Sequence, residues 1–337
     1  MKVLLTGASG YLGSQLVNSW LEDDRIEKII TLDLKDPQFL FNKKNSKIHF
    51  LKGNLADIDL GKELETVGPI DAVLHAAYLI RQPYFKKDLK FQEHSNFQGS
   101  ENAFRFAFRN NIPKLIQFSS VAIYGARKEN TLERGFIESS ETQENAIAYG
   151  RDKKLIEKNL EDLAAQYRAP TQVFVLRIGS VSGPFGKNLV KKKGLQKFLR
   201  GFFPFIPVVG EHSMRQFVHE DDVIKAVNFC LFQDLEEKYL IFNVAPNEYL
   251  TFREIAKLLN KKVLQLPKFL SNLAFNLIWH LTLGKVPTPP GTINTYTYPI
   301  FVDGSKICSY GFRYDYTCLD AFLSLKGKFA GFKPQKK

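Results

Sequence analysis

Cysteine is scarce in this chain of 337 residues: Cys230, Cys308 and Cys318 are its only three. They are too few and too scattered for a disulfide framework and show no metal-ligand spacing, so neither a disulfide scaffold nor a metal site is expected. No charged segment leading into an apolar core and a small-residue cleavage site opens the sequence, where a strand reads directly from Met1, and the cytosol is the expected compartment. The unusual apolar stretch Phe269 to Leu283 falls short of the ~20 residues a bilayer span needs. Nucleic-acid-binding motifs are absent too, so nucleic acid is not an expected partner in spite of a net charge of +12. The excess lysine lies in two clusters, Lys187 to Arg200, with Lys191-Lys192-Lys193, and Lys326 to Lys337. Both read as solvated faces, though such a field would also draw a phosphate-bearing substrate. With 44% hydrophobic residues the composition is that of an ordinary globular protein and excludes a disordered chain.

What is present is concentrated at the start. Met1 to Leu5 reads as a buried strand and runs into Thr6-Gly7-Ala8-Ser9-Gly10-Tyr11-Leu12-Gly13, after which Leu16, Val17, Trp20 and Leu21 recur at helical spacing. Gly7 allows a tight turn, Gly10 lets the backbone approach a pyrophosphate, and Gly13 lets the helix lie against the strand. The helix start then offers free N–H groups and a positive dipole end to an anion. Lys28 to Leu32 reads as a second strand ending at Asp33, placed where a dinucleotide fold puts an acid for the adenosine ribose hydroxyls. An acid there repels a 2′-phosphate, so NAD is expected rather than NADP, with Lys35 close enough to temper the preference.

Strands are expected at Lys47 to Lys52, leading to Gly53-Asn54-Leu55, at Asp71 to His75, leading to Ala76-Ala77, and at Lys114 to Phe118, leading to Ser119-Ser120. A helix is expected over 95–109. Small side chains at Ala76 and Ala77 leave room for a cofactor across the strand end, and His75 reads as a packed histidine because no acid stands beside it. The alternation implies an α/β fold, a Rossmann-type doubly wound parallel sheet over 1–180 with segments from about 215–245 returning to it. A smaller C-terminal α/β substrate domain over 181–330 and a basic tail over 331–337 complete the expectation.

Tyr149 and Lys153 lie four apart at the start of an amphipathic helix continued by Ile156, Leu160, Leu163 and Tyr167, so both polar heads point one way. A phenol becomes a useful base if an ammonium about 4 to 6 Å away stabilises the phenolate. The same spacing at Tyr124 and Lys128 falls where a turn is expected. Further on, Phe242 to Ala245 reads as a strand, Thr251 as the cap of a helix from Phe252, and Phe269 to Leu283 as a helix with a polar seam at Asn272, Asn276 and His280. That helix is expected to be a lid packed on the substrate domain. The rival is an apolar substrate channel or an interfacial membrane attachment aided by the lysine clusters and Phe198, Phe202, Phe203 and Phe205.

With Thr6-Gly7-x-x-Gly10-x-x-Gly13, Asp33, His75-Ala76-Ala77, Asn96, Ser119-Ser120, Tyr149-x-x-x-Lys153 and the run Arg215 to Val223 in order, the chain resembles an extended short-chain dehydrogenase/reductase of the NAD-dependent epimerase/dehydratase type. The resemblance implies cofactor contacts at Gly7, Ser9, Gly10, Tyr11, Leu12, Asp33, Asn54, Leu55, Ala76, Ala77, Asn96, Ser119, Tyr149 and Lys153. It also implies that Ser120 hydrogen-bonds the substrate oxygen, that Tyr149 exchanges its proton, and that Lys153 holds the nicotinamide ribose and lowers the Tyr149 pKa. Arg215 stands where nucleotide-sugar members grip the diphosphate. Ser180 replaces the usual asparagine, and 293–303 lacks a second diphosphate arginine. The implied activity is that of an NAD-dependent epimerase or dehydratase on a UDP- or dTDP-sugar. The alternative is an NAD(P)-dependent dehydrogenase or ketoreductase acting on a steroid- or lipid-like alcohol. Members of the family commonly form homodimers through two helices of the first domain.

Overall fold

From Val3 onward the first strand is buried on both faces, which is why it reads as an unbroken apolar run. The computed structural model describes residues 1–37, 44–80, 82–189, 200–201 and 204–331. Lys191, Lys192, Lys193, Phe198, Phe202, Phe203 and the tail from 332 lie outside them.

The principal sheet is built of β1 (Lys2–Thr6), β2 (Lys28–Asp33), β3 (Ile48–Lys52), β4 (Ala72–His75), β5 (Lys114–Ser120), β6 (Gln172–Ile178) and β7 (Tyr239–Val244). These seven strands are all parallel, in the order β7-β6-β5-β4-β1-β2-β3. The order reverses between β1 and β4, and at that switch point the strand ends diverge and leave a crevice.

Helices cover both faces. On one side α2 (Lys86–Arg109) and α3 (Ala148–Tyr167) bury Ala103, Phe104, Ala107, Ile156 and Leu160 against the sheet. On the other, α1 (Tyr11–Leu21) and α4 (Glu220–Phe232) bury Leu16, Val17, Trp20, Val223 and Val227. Three acids, Glu220, Asp221 and Asp222, open α4, where the helix dipole favours negative charge. The segment that returns after residue 215 thus supplies both a covering helix and the edge strand β7. Helix α2 begins at Lys86, well before the expected 95, because its first turns are polar and exposed and carry no apolar stripe to read.

The remaining strands form three short pairs: Ser180–Ser182 with Phe217–His219, Met214–Arg215 with Leu250–Thr251, and Phe205–Val208 with Lys262–Gln265. They share a small core of Ile206, Phe217, Phe252, Ile255 and Phe322. Helix α5 (Phe252–Leu258) starts with a capping box between Thr251 and Glu254. Helix α6 (Lys268–Leu281) does not pack as the expected lid: only Ser271 and Trp279 are buried on it, and most of its leucines face outward. A short helix, α7 (Thr292–Thr297), follows, and its Thr295 carbonyl accepts from Arg215. Among the described residues no helix is long and apolar enough to cross a membrane, and no cluster of His, Cys, Asp and Glu could hold a metal ion.

Candidate active site

Two glycines of the opening loop are there for steric reasons. Gly7 has φ +76°, and a Cβ on it would come within 2.7 Å of the Ala77 backbone nitrogen. A Cβ on Gly13 would meet the Gly7 carbonyl oxygen at 2.2 Å, so only glycine lets α1 lie this close to the loop. Gly10 caps α1 without any side chain, leaving the first N–H groups of the helix for a ligand. Gly7 and Gly10 edge a crevice of about 390 Å³ at the switch point.

Gly7, Ser9, Gly10, Asp33, Asn54, Leu55, Ala76, Ala77 and Asn96 all line that crevice. At one end the Asp33 carboxylate accepts from the Ser9 N–H at 2.9 Å and the Lys35 N–H at 3.1 Å, while burial raises its pKa. Asn96 clamps the loop after β4, accepting from the Leu79 N–H at 2.8 Å and donating to the Leu79 carbonyl at 3.2 Å. Asn54 donates to the Ser95 hydroxyl at 3.1 Å. Five expected cofactor residues stand outside the lining, Tyr149 and Lys153 among them. Of the other three, the Tyr11 hydroxyl donates to Glu220, Leu12 packs on the core, and the Ser119 hydroxyl is buried with no hydrogen-bond partner among the described residues. An uncapped helix start together with a carboxylate at the far end fits a dinucleotide lying across the strand ends.

A second cavity, of about 320 Å³, lies beyond the end of β5 and is lined by Ser120, Tyr149, Ser180, Arg215 and Thr295 among others. The fold therefore gathers residues as far apart in sequence as Ser120 and Thr295. The Ser120 hydroxyl accepts from the Ala122 N–H at 3.2 Å and hydrogen-bonds Tyr149. Arg215 donates to the carbonyls of Met214 at 2.8 Å and Thr295 at 2.6 Å. Its guanidinium lies 5.2 Å from the Phe252 ring centroid and 5.1 Å from that of Tyr296. It has no carboxylate partner among the described residues, and burial lowers its pKa. A third cavity, of about 390 Å³, is lined by Ile80, Ile147, Ala148, Pro287 and Pro289. Tyr149 and Thr295 border both.

Lys153 is buried on α3, one turn beyond Tyr149. Its ammonium donates to the Phe118 carbonyl at 2.7 Å and sits 4.1 Å from the centroid of the Tyr78 ring. Burial brings its pKa down to about 7, a shift that the Glu157 carboxylate opposes. Tyr149, expected to be held low by Lys153, is instead pushed above a phenol's ordinary value by burial, with only Ser120 pulling it back. The reason is geometric: the ammonium is turned to a carbonyl and a ring face.

Tyr78 is the site residue the sequence did not disclose. It lines the dinucleotide crevice, meets the Tyr149 ring edge-on at 5.5 Å, and donates to Asp152 at 3.5 Å. His75 is packed as expected, with Nδ1 2.7 Å from the Thr6 hydroxyl and Nε2 2.9 Å from that of Ser100, and burial lowers its pKa to about 3. Tyr124 is structural: its hydroxyl lies 2.9 Å from Asn243 and accepts from Arg177 at 2.9 Å.

Among known proteins, the family model described as "NAD dependent epimerase/dehydratase family" matches residues 3–245. The dTDP-D-glucose 4,6-dehydratase of Homo sapiens is 27% identical over 274 residues, covering 76% of this chain and 72% of that protein. Of solved structures, a UDP-glucose 4-epimerase of Thermotoga maritima with UDP-glucose superposes with a TM-score of 0.72 at 19% identity, over 96% of this chain and 97% of that one. A UDP-glucose 4-epimerase of Bifidobacterium longum, in complex with NAD⁺ and UDP, gives 0.70 at 18% identity, over 98% and 100%. At such identities the superpositions speak for the fold.

Proposed function

The chain belongs to the NAD dependent epimerase/dehydratase family, and from that premise we propose that it binds NAD in the β1–β4 crevice and acts on a nucleotide-linked sugar. NAD, when bound, supplies the acceptor and donor of a hydride. The protein's share is to position the sugar and move its proton. Ser120 hydrogen-bonds the reacting hydroxyl and Tyr149 takes its proton, later returning it. Lys153 is the nearby cation that would stabilise the Tyr149 phenolate once the ammonium swings from the Phe118 carbonyl. Arg215 holds the diphosphate through its guanidinium fork.

One observation carries this reading. Arg215 is a cation with no carboxylate partner among the described residues, and it opens onto the same cavity as Ser120 and Tyr149, an arrangement suited to a substrate that brings its own negative charge. The third cavity favours a second reading, oxidation of an apolar alcohol, because its lining of Ile80, Ile147, Pro287 and Pro289 reaches Tyr149.

Two variants test both. Tyr149→Phe should keep NAD affinity and lose turnover by roughly a hundredfold or more; surviving activity removes Tyr149 from the chemistry. Arg215→Ala should weaken UDP or dTDP binding, read by calorimetry, by about tenfold or more with NAD affinity intact. Unchanged nucleotide affinity would favour the apolar alcohol.

A further inference from the structure

Helix α6 offers to solvent the side chains a globular helix normally buries. Phe269, Leu273, Leu277 and Leu281 recur every four residues as one ridge and are 71%, 66%, 56% and 75% exposed. Leu270 and Ile278 flank the ridge, and Leu283 and Val286 carry exposed apolar surface past the end of the helix. Attachment to the rest of the protein is by a narrow edge, where Ser271 and Trp279 are buried and Trp279 packs on Tyr84 with ring centroids 5.7 Å apart. A continuous apolar ridge of this kind marks a surface meant to be covered.

The charge along this stretch of the chain indicates the cover. Between Glu254 and Asp303 the sequence contains no aspartate or glutamate, yet it holds Lys257, Lys261, Lys262, Lys268 and Lys285. Lys268 opens the helix and Lys285 follows its end. The Lys268 ammonium donates to the Tyr298 hydroxyl at 3.0 Å and lies over the same ring. Lys257 and Lys262 are exposed, and their side chains make no ion pair among the described residues.

A twofold contact with a second copy through this ridge would set lysines against lysines, because an isologous interface opposes the same patch to itself. An anionic lipid surface is complementary in both respects: it takes the apolar ridge below the headgroups and the lysines at their level. With 14 residues α6 can lie in the interface and cannot cross it.

We infer that α6 is a membrane-attachment helix, and that the protein docks peripherally on anionic bilayers through the Phe269–Leu273–Leu277–Leu281 ridge and its flanking lysines. The segment that leaves α6 supplies Pro287 and Pro289 to the apolar cavity at Tyr149, so the docked face adjoins the site. The inference does not depend on the substrate reading, and its test involves no turnover.

The full chain is sedimented with vesicles of phosphatidylglycerol and phosphatidylcholine, and with vesicles of phosphatidylcholine alone. The wild type should bind the anionic vesicles, release as salt is raised, and stay in solution with the neutral ones. Leu273→Gln/Leu277→Gln should weaken anionic-vesicle binding by about tenfold or more. Lys257→Glu/Lys262→Glu, with the ridge intact, should also weaken it. Both variants should keep the wild-type melting temperature and NAD affinity, which shows that the fold is unharmed. A wild type that ignores anionic vesicles overturns the inference, as does a ridge variant that binds like the wild type. A dimer that the ridge variant dissociates, with no vesicle binding by either, also overturns it and assigns the face to self-association.

Discussion

Lys153 has one carbonyl, 2.7 Å away, and one ring face for company, and burial brings its pKa down to about 7. An unfolded chain takes up the same proton near lysine's ordinary 10.5. Between those values the unfolded state binds the extra proton, so stability rises with pH across that window; below about 7 the whole burial cost stands. Lys153→Met should therefore melt higher than the wild type by about 2 °C or more at ~pH 6, with the gain shrinking towards ~pH 10. Scanning calorimetry at the two pH values reads this, and a gain that does not change with pH would show that the ammonium is not what burial penalises. At this scale the strand-end position of Ser120 and the one-turn spacing of Tyr149 and Lys153 were legible in the sequence. Tyr78 was not, because nothing in the sequence separates it from twelve other tyrosines. Its place between crevice and ammonium exists only once α3 lies beside the end of β4.

Helix α3 carries a buried ion pair behind the site. Glu157, one turn past Lys153, meets Arg177 of β6 at 2.8 Å, with side-chain exposures of 9% and 5%. Arg177 also donates to the Tyr124 hydroxyl at 2.9 Å and the Glu138 carbonyl at 2.8 Å. Glu157→Ala would strand a buried guanidinium and should cost about 3–5 kcal/mol in urea unfolding; a loss under about 1 kcal/mol would mean that those two acceptors suffice. Elements with a strong period were readable, β1 and α1 above all, since the glycines and the apolar repeat agree there. The start of α2 was not, because polar exposed turns leave no pattern. For α6 the pattern was read and the direction reversed: periodicity identifies an apolar face but cannot say whether protein or something else will meet it.

Across the whole molecule, a ligand that binds only the folded state adds its binding free energy to stability. NAD at a hundredfold over its dissociation constant should contribute ~2.7 kcal/mol, visible as a raised melting temperature. NADP at equal concentration should raise it less, because its 2′-phosphate would meet Asp33; equal shifts would show that Lys35 neutralises that acid. The alternation of strands and helices made the parallel sheet legible, whereas the three short strand pairs of the second half are too brief to carry a period. Strand β7 completes the sheet from far along the chain, pairing Tyr239–Val244 with β6 at Gln172–Ile178. A ribosome making this protein from its N-terminus therefore exposes the raw edge of β6 for the time needed to synthesise some sixty more residues, a window in which a chaperone, or another nascent chain, finds an open template.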